Sequence, residues 1–523
     1  MAAQIKYPIG VQEFEKLRNQ NYMYIDKTSI VRQMVESGNC IFLSRPRRFG
    51  KSLLVSTLKA YFEGKRELFR GMAIDSDEVD WTPSPVLLLD LNTAEYKSRA
   101  QLEAILRDHL NKWEMEYGST SIETDLPLRF KGVIESAHKR TGQRVAVLVD
   151  EYDKPLLQAI ETPELMEEFR SLLKSFYGVL KTADAHVRFA LITGVTKFSK
   201  VSIFSDLNNL KDISSDVRFA EICGITEQEL HDYFDEQIAL VGDANGMTKD
   251  EAYAKMKKMY DGYHFTRYVN TPGIYNPFSV LCALDACEFR DYWFATGTPS
   301  FLIEVLKQSN YQLDQLMEQP SVTSDLLGEM NSFSKTPLPI LYQSGYLTIR
   351  DFDAEFNSFT LGFPNYEVEY GFFKYLTSTY IHDQKKDQSA SPFHIEKFVK
   401  DIREGRADDF MQRLDTFLVD GDYQIAGNAE LYFQNVVFVV FKLLGYYVMA
   451  EHHTSRGRVD LLLQTRDYIY VIELKLDGSV EDAMKQIVAM EYAKPFAMDG
   501  RKVITIGANF SSETRHLTKW QII

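Results

Sequence analysis

Residues 42–54 read FLSRPRRFGKSLL, and this stretch decides the fold. The apolar run CIFLS (40–44) is typical of a buried strand, and Lys51–Phe62 is compatible with a helix. A strand, a tight loop and a helix in this order form the setting in which the pattern G-x-x-x-x-G-K-[ST] binds phosphate. Arg45, however, occupies the position of the first glycine. The question is whether a loop that lacks this glycine still binds phosphate.

The second half of the pattern is intact and makes the important contacts. Gly50 lets the backbone approach a phosphate closely, and the amides that follow it would point at the anion from a helix N-terminus. Lys51 would reach the β- and γ-phosphates, while the Ser52 hydroxyl would ligate Mg²⁺. We therefore predict that ATP is contacted by Arg47, Arg48, Phe49, Gly50, Lys51, Ser52, Leu53 and Asp150.

A second pattern, VAVLVDEYD (145–153), supports the same interpretation. It is an apolar strand that ends in two carboxylates. Asp150 would hold Mg²⁺ together with Ser52, and Glu151 would polarise the attacking water as a catalytic residue. Thr193 or Thr196, at the end of a later strand, could sense the γ-phosphate, although a buried capping threonine explains either one equally well.

The apolar runs at 40–44, 86–91, 145–150 and 188–194 predict strands buried on both faces, as in a parallel α/β sheet. Longer helix-compatible segments lie between them, which gives a βαβ architecture to about residue 225. Thr226 opens a Thr-x-x-Glu capping pattern and begins a helix-rich region. The remaining predictions are a hairpin or wing within 341–365, a linker near 383–392 and a final α/β unit from 393.

Composition narrows the function classes. The chain has 523 residues and a net charge of −15, which argues against coating nucleic acid by bulk electrostatics. Residues 41–70 nevertheless carry eight Lys/Arg against two Glu, as expected beside a polyanion. With no apolar run of membrane-spanning length and no signal-like N-terminus, we expect a cytoplasmic protein without a membrane partner. The four scattered cysteines predict buried thiols rather than a zinc site or disulfides: Cys40, Cys223, Cys282 and Cys287.

A second candidate site lies in GRVDLLLQTRDYIYVIELK (457–475). Asp460 begins one predicted strand, and Glu473 and Lys475 are two residues apart on the next, so they share a face. Two converging carboxylates form a site for Mg²⁺ or Mn²⁺, and a lysine beside them can assist attack on a phosphodiester. Glu430 would be an additional metal ligand and Gln486 a supporting residue. The alternative is a row of solvated polar residues on an open face.

With both patterns in place, the chain resembles AAA-ATPase-like proteins that end in a PD-(D/E)XK-superfamily nuclease domain. The resemblance extends nearly end to end and includes YPIGVQEFEKLR (7–18), FLSRPRRFGKSLL, VLVDEYDKPL (147–156), YDGYHF (260–265) and the GRVD and IELK segments. In that family R-P-R-R-F-G-K-S is the usual form, so Arg45 is no defect. One departure is Gln434, where relatives often have a histidine.

The resemblance implies four segments of an α/β protein. These are a P-loop ATPase of the STAND/AAA+ kind with a parallel sheet (1–225), a helical lid (226–335), a small winged-helix-like or connecting part (336–390) and a restriction-endonuclease-like nuclease domain (391–523). It also assigns the Walker A roles to Lys51 and Ser52, the Walker B roles to Asp150 and Glu151, and the nuclease roles to Asp460, Glu473 and Lys475.

The leading hypothesis is an ATP-gated nuclease that cuts DNA, with a second copy of the chain as a candidate partner in a homo-oligomer. One rival is a nucleotide switch whose C-terminal domain binds nucleic acid or a partner without cutting. Another is a constitutive nuclease whose ATPase only assembles the oligomer. The aromatic residues of 260–278 could suggest base stacking, but such spacing in a helical region favours core packing.

Overall fold

The structure is a computed structural model that describes residues 6–76, 78–121, 124–197, 203–204, 207–295, 302, 305–306, 309–327, 336–380, 394–419, 429–455, 458–496 and 498–523. The chain forms two compact units. One comprises Met1–Phe301 and Gln319–Val368, and the other comprises Leu302–Glu318 and Glu369–Ile523. Among the described residues, no helix is both long enough and apolar enough to cross a membrane.

The first unit contains the helices α1 (Phe14–Asn19), α2 (Thr28–Ser37), α3 (Lys51–Phe62), α4 (Arg99–Tyr117), α5 (Leu126–Thr141), α6 (Lys154–Gln158), α7 (Pro163–Thr182), α8 (Glu227–Ala244), α9 (Lys249–Tyr260), α10 (Pro277–Ala286), α11 (Tyr292–Ala295), α12 (Ser324–Leu327) and α13 (Leu338–Gln343). Its strands are β1 (Cys40–Ser44), β2 (Val86–Asp90), β3 (Val145–Asp150), β4 (Val187–Gly194), β5 (Lys211–Asp212), β6 (Ser321–Thr323), β7 (Thr348–Asp353) and β8 (Ser358–Gly362).

Five strands form a parallel sheet in the order β2-β3-β4-β1-β5. The four predicted strands are confirmed to within one residue, and β5 completes the sheet with only two residues. All of β3 is buried, as expected for a strand covered on both faces. Because the strands are parallel, their carboxyl ends lie at one edge, and β4 separates the strand before the phosphate loop from the strand that ends at Asp150.

The helix-rich region after the sheet begins as predicted. Thr226 and Glu229 form a capping box at the start of α8, and Thr248 and Glu251 form another at the start of α9. The two boxes satisfy backbone N–H groups that would otherwise lack partners at each helix start. Among the aromatic residues of 260–278, core packing is confirmed for four buried side chains, those of Tyr260, Tyr263, Phe265 and Tyr275, whereas Phe278 is only partly buried.

The hairpin predicted within 341–365 is confirmed. Strands β7 and β8 pair antiparallel, and β6 adds to the outer edge of β8, giving a three-stranded sheet in the order β6-β8-β7. Residues 319–368 belong to the same compact unit as the parallel sheet. The two compact units therefore divide the chain differently from the four predicted segments, whose bounds remain a prediction. The predicted linker at 383–392 lies outside the described residues.

The second unit contains a mixed sheet in the order β13-β12-β11-β10-β9. Strands β11 and β12 are parallel, whereas the other neighbours pair antiparallel. The strands are β9 (Met449–Ser455), β10 (Arg458–Gln464), β11 (Tyr468–Leu476), β12 (Lys502–Phe510) and β13 (Leu517–Ile522). The helices are α14 (Tyr366–Tyr380, beginning in the first unit), α15 (Ile395–Arg403), α16 (Ala407–Val419), α17 (Ala429–Leu444) and α18 (Val480–Ala489).

Candidate functional site

The phosphate loop owes its shape to two residues with left-handed backbone conformations. Gly50 has φ 92° and is the N-cap residue of α3, and Arg48 has φ 67°. A Cβ on Gly50 would meet nothing within 4 Å, so the glycine is required for its positive φ rather than for space within the protein. The loop therefore delivers the backbone directly into the first turn of a helix, where free N–H groups attract an anion.

Arg45 has a structural role that explains the missing first glycine. Its guanidinium is buried and donates hydrogen bonds to the carbonyl oxygens of Ser44 (2.9 Å), Ser214 (2.8 Å) and Phe219 (3.0 Å). It also lies 4.2 Å from the centre of the Phe265 ring, a cation–π contact. The Arg45 side chain thus ties β1 to the segment after β5, and its backbone carbonyl remains part of the loop.

Lys51 lies over the loop in a position suited to phosphate. Its Nζ donates to the carbonyl oxygens of Arg45 (3.0 Å) and Pro46 (3.1 Å), and only 4% of the residue is exposed. Both partners are neutral, so an anion could take over the ammonium group without leaving a carboxylate unpaired.

A cavity of about 850 Å³ opens beside this loop, a size within the range of about 300–1,000 Å³ usual for small-molecule sites. Most of the predicted ATP contacts and the predicted catalytic Glu151 lie on its wall: Arg47, Arg48, Gly50, Lys51, Ser52 and Leu53. Apolar side chains also line the cavity, among them Ile9, Pro277, Phe278 and Leu281. The cavity thus has both the cationic loop residues and apolar side chains on its wall, which are the two kinds of contact that a nucleotide uses.

Two of the predicted ATP contacts, Asp150 and Phe49, do not lie on the cavity wall. The Phe49 side chain is buried, with ring centroids 4.8 Å from Tyr263 and 5.5 Å from Phe265. Only the Phe49 backbone therefore faces the loop, and contact of its amide with ATP stays a prediction.

The carboxyl groups of Asp150 and Glu151, at the end of β3, lie in different environments. Asp150 is mostly buried and accepts a hydrogen bond from the Thr193 hydroxyl at 2.7 Å. Glu151 has a left-handed backbone (φ 52°) and lines the cavity. Burial raises the pKa of Glu151 above its usual value, and the nearby Lys51 ammonium offsets part of that rise. A carboxylate with a raised pKa beside the loop suits a general base.

A third carboxylate, Asp153, was missed by the sequence analysis. It is buried and accepts from the amide of Thr196 at 2.6 Å and from the Thr196 hydroxyl at 2.5 Å, and it also binds the Val195 amide. A Cβ on Gly194 would come within 2.5 Å of the Asp153 carboxylate, which explains the glycine. The sequence signal that could have identified Asp153 is its position in the DEYD segment (150–153), directly after the strand that ends at Asp150. Thr193 and Thr196 are thus both bound to carboxylates of the adjacent strand end.

The second candidate site is brought together by strand pairing. Asp460 on β10 pairs directly with Glu473 on β11, and directly paired positions lie on one face of an antiparallel sheet. Glu473 is 1% exposed, and its Oε1 accepts from the Lys475 Nζ at 2.8 Å. Lys475 also donates to the amide oxygen of Gln486 on α18. Lys475 therefore contacts both of the other predicted residues, Glu473 and Gln486.

Two predicted metal ligands are less well defined. The side chain of Asp460 lies outside the described part of the structure. Glu430 lies exposed in the first turn of α17, where it accepts a hydrogen bond from Gln434 at 3.4 Å. Among the described side chains, no group of three or more His, Cys, Asp or Glu could hold a metal ion. The oxygen ligands at Glu473 suit a hard divalent cation, and the full ligand set stays a prediction.

Comparisons with known proteins agree with both halves of this description. A family model for predicted AAA-ATPases matches residues 8–204, and a model for the PD-(D/E)XK nuclease superfamily matches residues 428–520. A protein of Azotobacter chroococcum mcd 1, described as an uncharacterized protein in the vnfD 5′ region, is 35% identical over 524 residues, spanning 98% of this chain and 97% of the relative. The chain therefore belongs to the family that joins an N-terminal predicted AAA-ATPase domain to a C-terminal domain of the PD-(D/E)XK nuclease superfamily.

Proposed function

We propose that the protein binds and hydrolyses ATP in the cavity of the first unit and that nucleotide state controls a metal-dependent nuclease in the second unit, which cuts DNA. The observation that supports the ATPase half is the meeting of Lys51, Ser52 and Glu151 on the wall of one cavity. The observation that supports the nuclease half is the contact of Lys475 with buried Glu473 and with Gln486.

In this proposal Lys51 exchanges its two carbonyl partners for oxygens of the β- and γ-phosphates. The Ser52 hydroxyl and Asp150 hold Mg²⁺, which would neutralise phosphate charge. Glu151 accepts a proton from the attacking water, a role that its raised pKa suits. Thr193 keeps Asp150 oriented through the 2.7 Å hydrogen bond.

At the second site, Asp460 and Glu473 hold Mg²⁺ or Mn²⁺, which would polarise the phosphodiester and activate water. Lys475 stabilises the negative charge that grows on the phosphate, and Gln486 fixes the position of its ammonium group. The pairing of Lys475 with a buried carboxylate also holds the lysine in place before substrate arrives.

The proposal extends to partners and location. A homo-oligomer would allow an arginine from a second copy to stabilise the charge that develops on the γ-phosphate. The protein would act in the cytoplasm, with DNA as its nucleic-acid partner.

The decisive experiment is cleavage of mixed single- and double-stranded DNA by the full chain with Mg²⁺ or Mn²⁺, with and without ATP. Lys475→Ala is the test variant, and Lys485→Ala is the matched control because Lys485 lies on the neighbouring helix with its side chain 80% exposed. Metal-dependent cutting that is lost only in Lys475→Ala would support the nuclease, and its response to ATP would measure the control. ATP binding without any cutting of DNA or RNA would replace this proposal with a non-cleaving nucleotide switch.

A further inference from the structure

Trp293 connects the helical region of the first unit to the phosphate loop. It lies on the short helix α11, lines the nucleotide cavity, and donates its indole Nε1–H to the backbone carbonyl of Arg47 at 3.3 Å. Its ring packs edge-to-face against Tyr346 with centroids 5.1 Å apart. The indole is thus held on one side by packing and on the other by the loop itself.

A buried carboxyl group holds Trp293 in this position. Glu367 is 0% exposed; one carboxyl oxygen accepts from the Trp293 backbone N–H at 2.7 Å, and the other accepts from the Ser279 hydroxyl at 2.8 Å. Ser279 lies in the first turn of α10, so a single side chain joins α10 to α11. No step of the proposed ATP chemistry uses Glu367, and its burial therefore calls for a different role.

The loop has a second contact with the same helices. The Arg48 guanidinium lies 4.9 Å from the ring centre of Phe278, which is on α10 and on the cavity wall. The two consecutive arginines of the loop, Arg47 and Arg48, therefore both contact the segment 277–295, one through its carbonyl and the other through its side chain.

We infer that Trp293 is a positioning residue of the phosphate loop, held by Glu367, and that it couples the conformation of the loop to helices α10 and α11. Phosphate bound at the loop would then alter the surroundings of the indole, and loss of the indole N–H would loosen the loop. The consequence for nucleotide affinity rests on the proposed function, whereas the restraint that Trp293 places on the loop does not.

Glu367 makes this coupling sensitive to pH. Burial raises the pKa of Glu367 to about 8, and the nearby carboxylate of Asp291 adds to the rise. Other titratable groups that face it stay uncharged near pH 8, since the pKa is raised to about 11 for Cys282 and to about 12 for Tyr292. The pKa values of Tyr260 and Tyr263 are raised further by burial.

The sign of the effect follows from these values. A carboxyl whose pKa is raised on folding binds its proton more tightly in the packed state, so its stabilising contribution is complete below its ordinary pKa of 4.5 and lost as pH rises to about 8. Ionisation near pH 8 should therefore destabilise the packing around Glu367, although the Trp293 N–H bond itself lowers the pKa of Glu367 and so favours the ionised carboxyl. Glu367→Gln keeps an oxygen for the Trp293 N–H and removes the titration.

The test compares Trp293→Phe with Trp113→Phe in the full chain. Trp113 is also buried but lies on α4 outside the cavity wall, so its replacement controls for loss of an indole. In nucleotide-free protein, amide hydrogen exchange at residues 45–53 should be roughly fivefold faster in Trp293→Phe, the factor that corresponds to one ordinary hydrogen bond. Unchanged exchange at 45–53 would overturn the inference.

Two further measurements separate this inference from the proposed function. Calorimetry should show Mg·ATP bound roughly fivefold more weakly by Trp293→Phe than by Trp113→Phe. If wild-type protein bound no ATP while the exchange difference remained, the ATP proposal would fail and the positioning role would stand. The Trp293 emission, taken as the difference between wild type and Trp293→Phe, should change with a midpoint near pH 8. A titration that persists unchanged in Glu367→Gln would remove Glu367 from the inference.

Discussion

The two lysines of the candidate sites, Lys51 and Lys475, are held in contrasting ways. Lys51 lies on two backbone carbonyls that belong to the same short loop. Lys475 lies on two side chains, the carboxylate of Glu473 on its own strand and the amide of Gln486 on the next helix. The first arrangement is built from seven consecutive residues (45–51), whereas the second needs a strand and a helix to be packed together.

This difference predicts how substitution of each lysine affects the protein. A ligand that binds Lys51 displaces two neutral carbonyl oxygens and leaves no carboxylate without its cation. Removal of Lys475 would leave Glu473 buried without its cation, which is costly in a desolvated setting. We therefore expect substitution of Lys51 to change nucleotide binding more than stability, and substitution of Lys475 to change both DNA cleavage and stability.

The largest effect is expected at Glu151. This residue lies near Lys51 on the cavity wall but is not one of the groups that hold the Lys51 ammonium in place. Glu151→Gln should lower ATP hydrolysis by about 10²- to 10⁴-fold, because a general base contributes that much, and should leave ATP affinity nearly unchanged. In wild type, hydrolysis should rise with pH through a pKa above 4.5, since burial raises the pKa of the base. Steady-state rates from pH 4.5 to 8 check this. Equal loss in the exposed Glu164→Gln would contradict the assignment.

Lys51→Ala tests the loop half of the comparison directly. Without its charge-assisted hydrogen bonds to phosphate, affinity for Mg·ATP should fall by at least about 100-fold, in effect abolishing binding. Calorimetry with Lys59→Ala as control measures this, because Lys59 is on the same helix and pairs with Glu63 at the surface. Unchanged affinity would show that the loop is not the nucleotide site.

Arg45→Lys tests whether stability depends on the hydrogen bonds between the loop and the segment after β5. A lysine keeps the positive charge, but its single nitrogen cannot occupy the positions of the two guanidinium nitrogens that bond the three carbonyls, so the free energy of unfolding should fall by about 2 kcal/mol. Urea denaturation, with the exposed Arg70→Lys as reference, is the measurement. If Arg45→Gly were as stable as wild type, the guanidinium contacts would not be structural and the contrast between the sites would sharpen further.

Gln486→Ala should have the smallest effect and tests the side-chain half of the comparison. A supporting partner of this kind typically contributes about 10-fold, so DNA cleavage should fall by about that factor while the protein remains folded. The measurement is the cleavage rate with Mg²⁺ or Mn²⁺. A loss as large as that in Lys475→Ala would mean that Gln486 contacts substrate or metal itself.

Much of the fold was predictable because its signals are local. The strands of the parallel sheet, helix α3, the Thr226 cap and the hairpin after residue 341 each follow from a short run of residues. The two compact units were not predictable, because pairing of residues 319–368 with the first unit depends on contacts far apart in sequence. Asp153 was missed for a related reason: its partners, Val195 and Thr196, follow a different strand.

The sequence by itself determined that Gly50-Lys51-Ser52 begins a helix after a buried strand and that Glu473 and Lys475 share a face, since both depend only on backbone periodicity and on neighbouring residues. The tertiary structure decided what surrounds them. The buried Arg45 guanidinium bonds the Phe219 carbonyl, and the strand order places the Thr193 hydroxyl beside Asp150. The Trp293 indole bonds the Arg47 carbonyl of the loop. These contacts join residues about 40 to 250 positions apart in the sequence. They form only because the sheet order and the packing of the helices bring the apolar faces together.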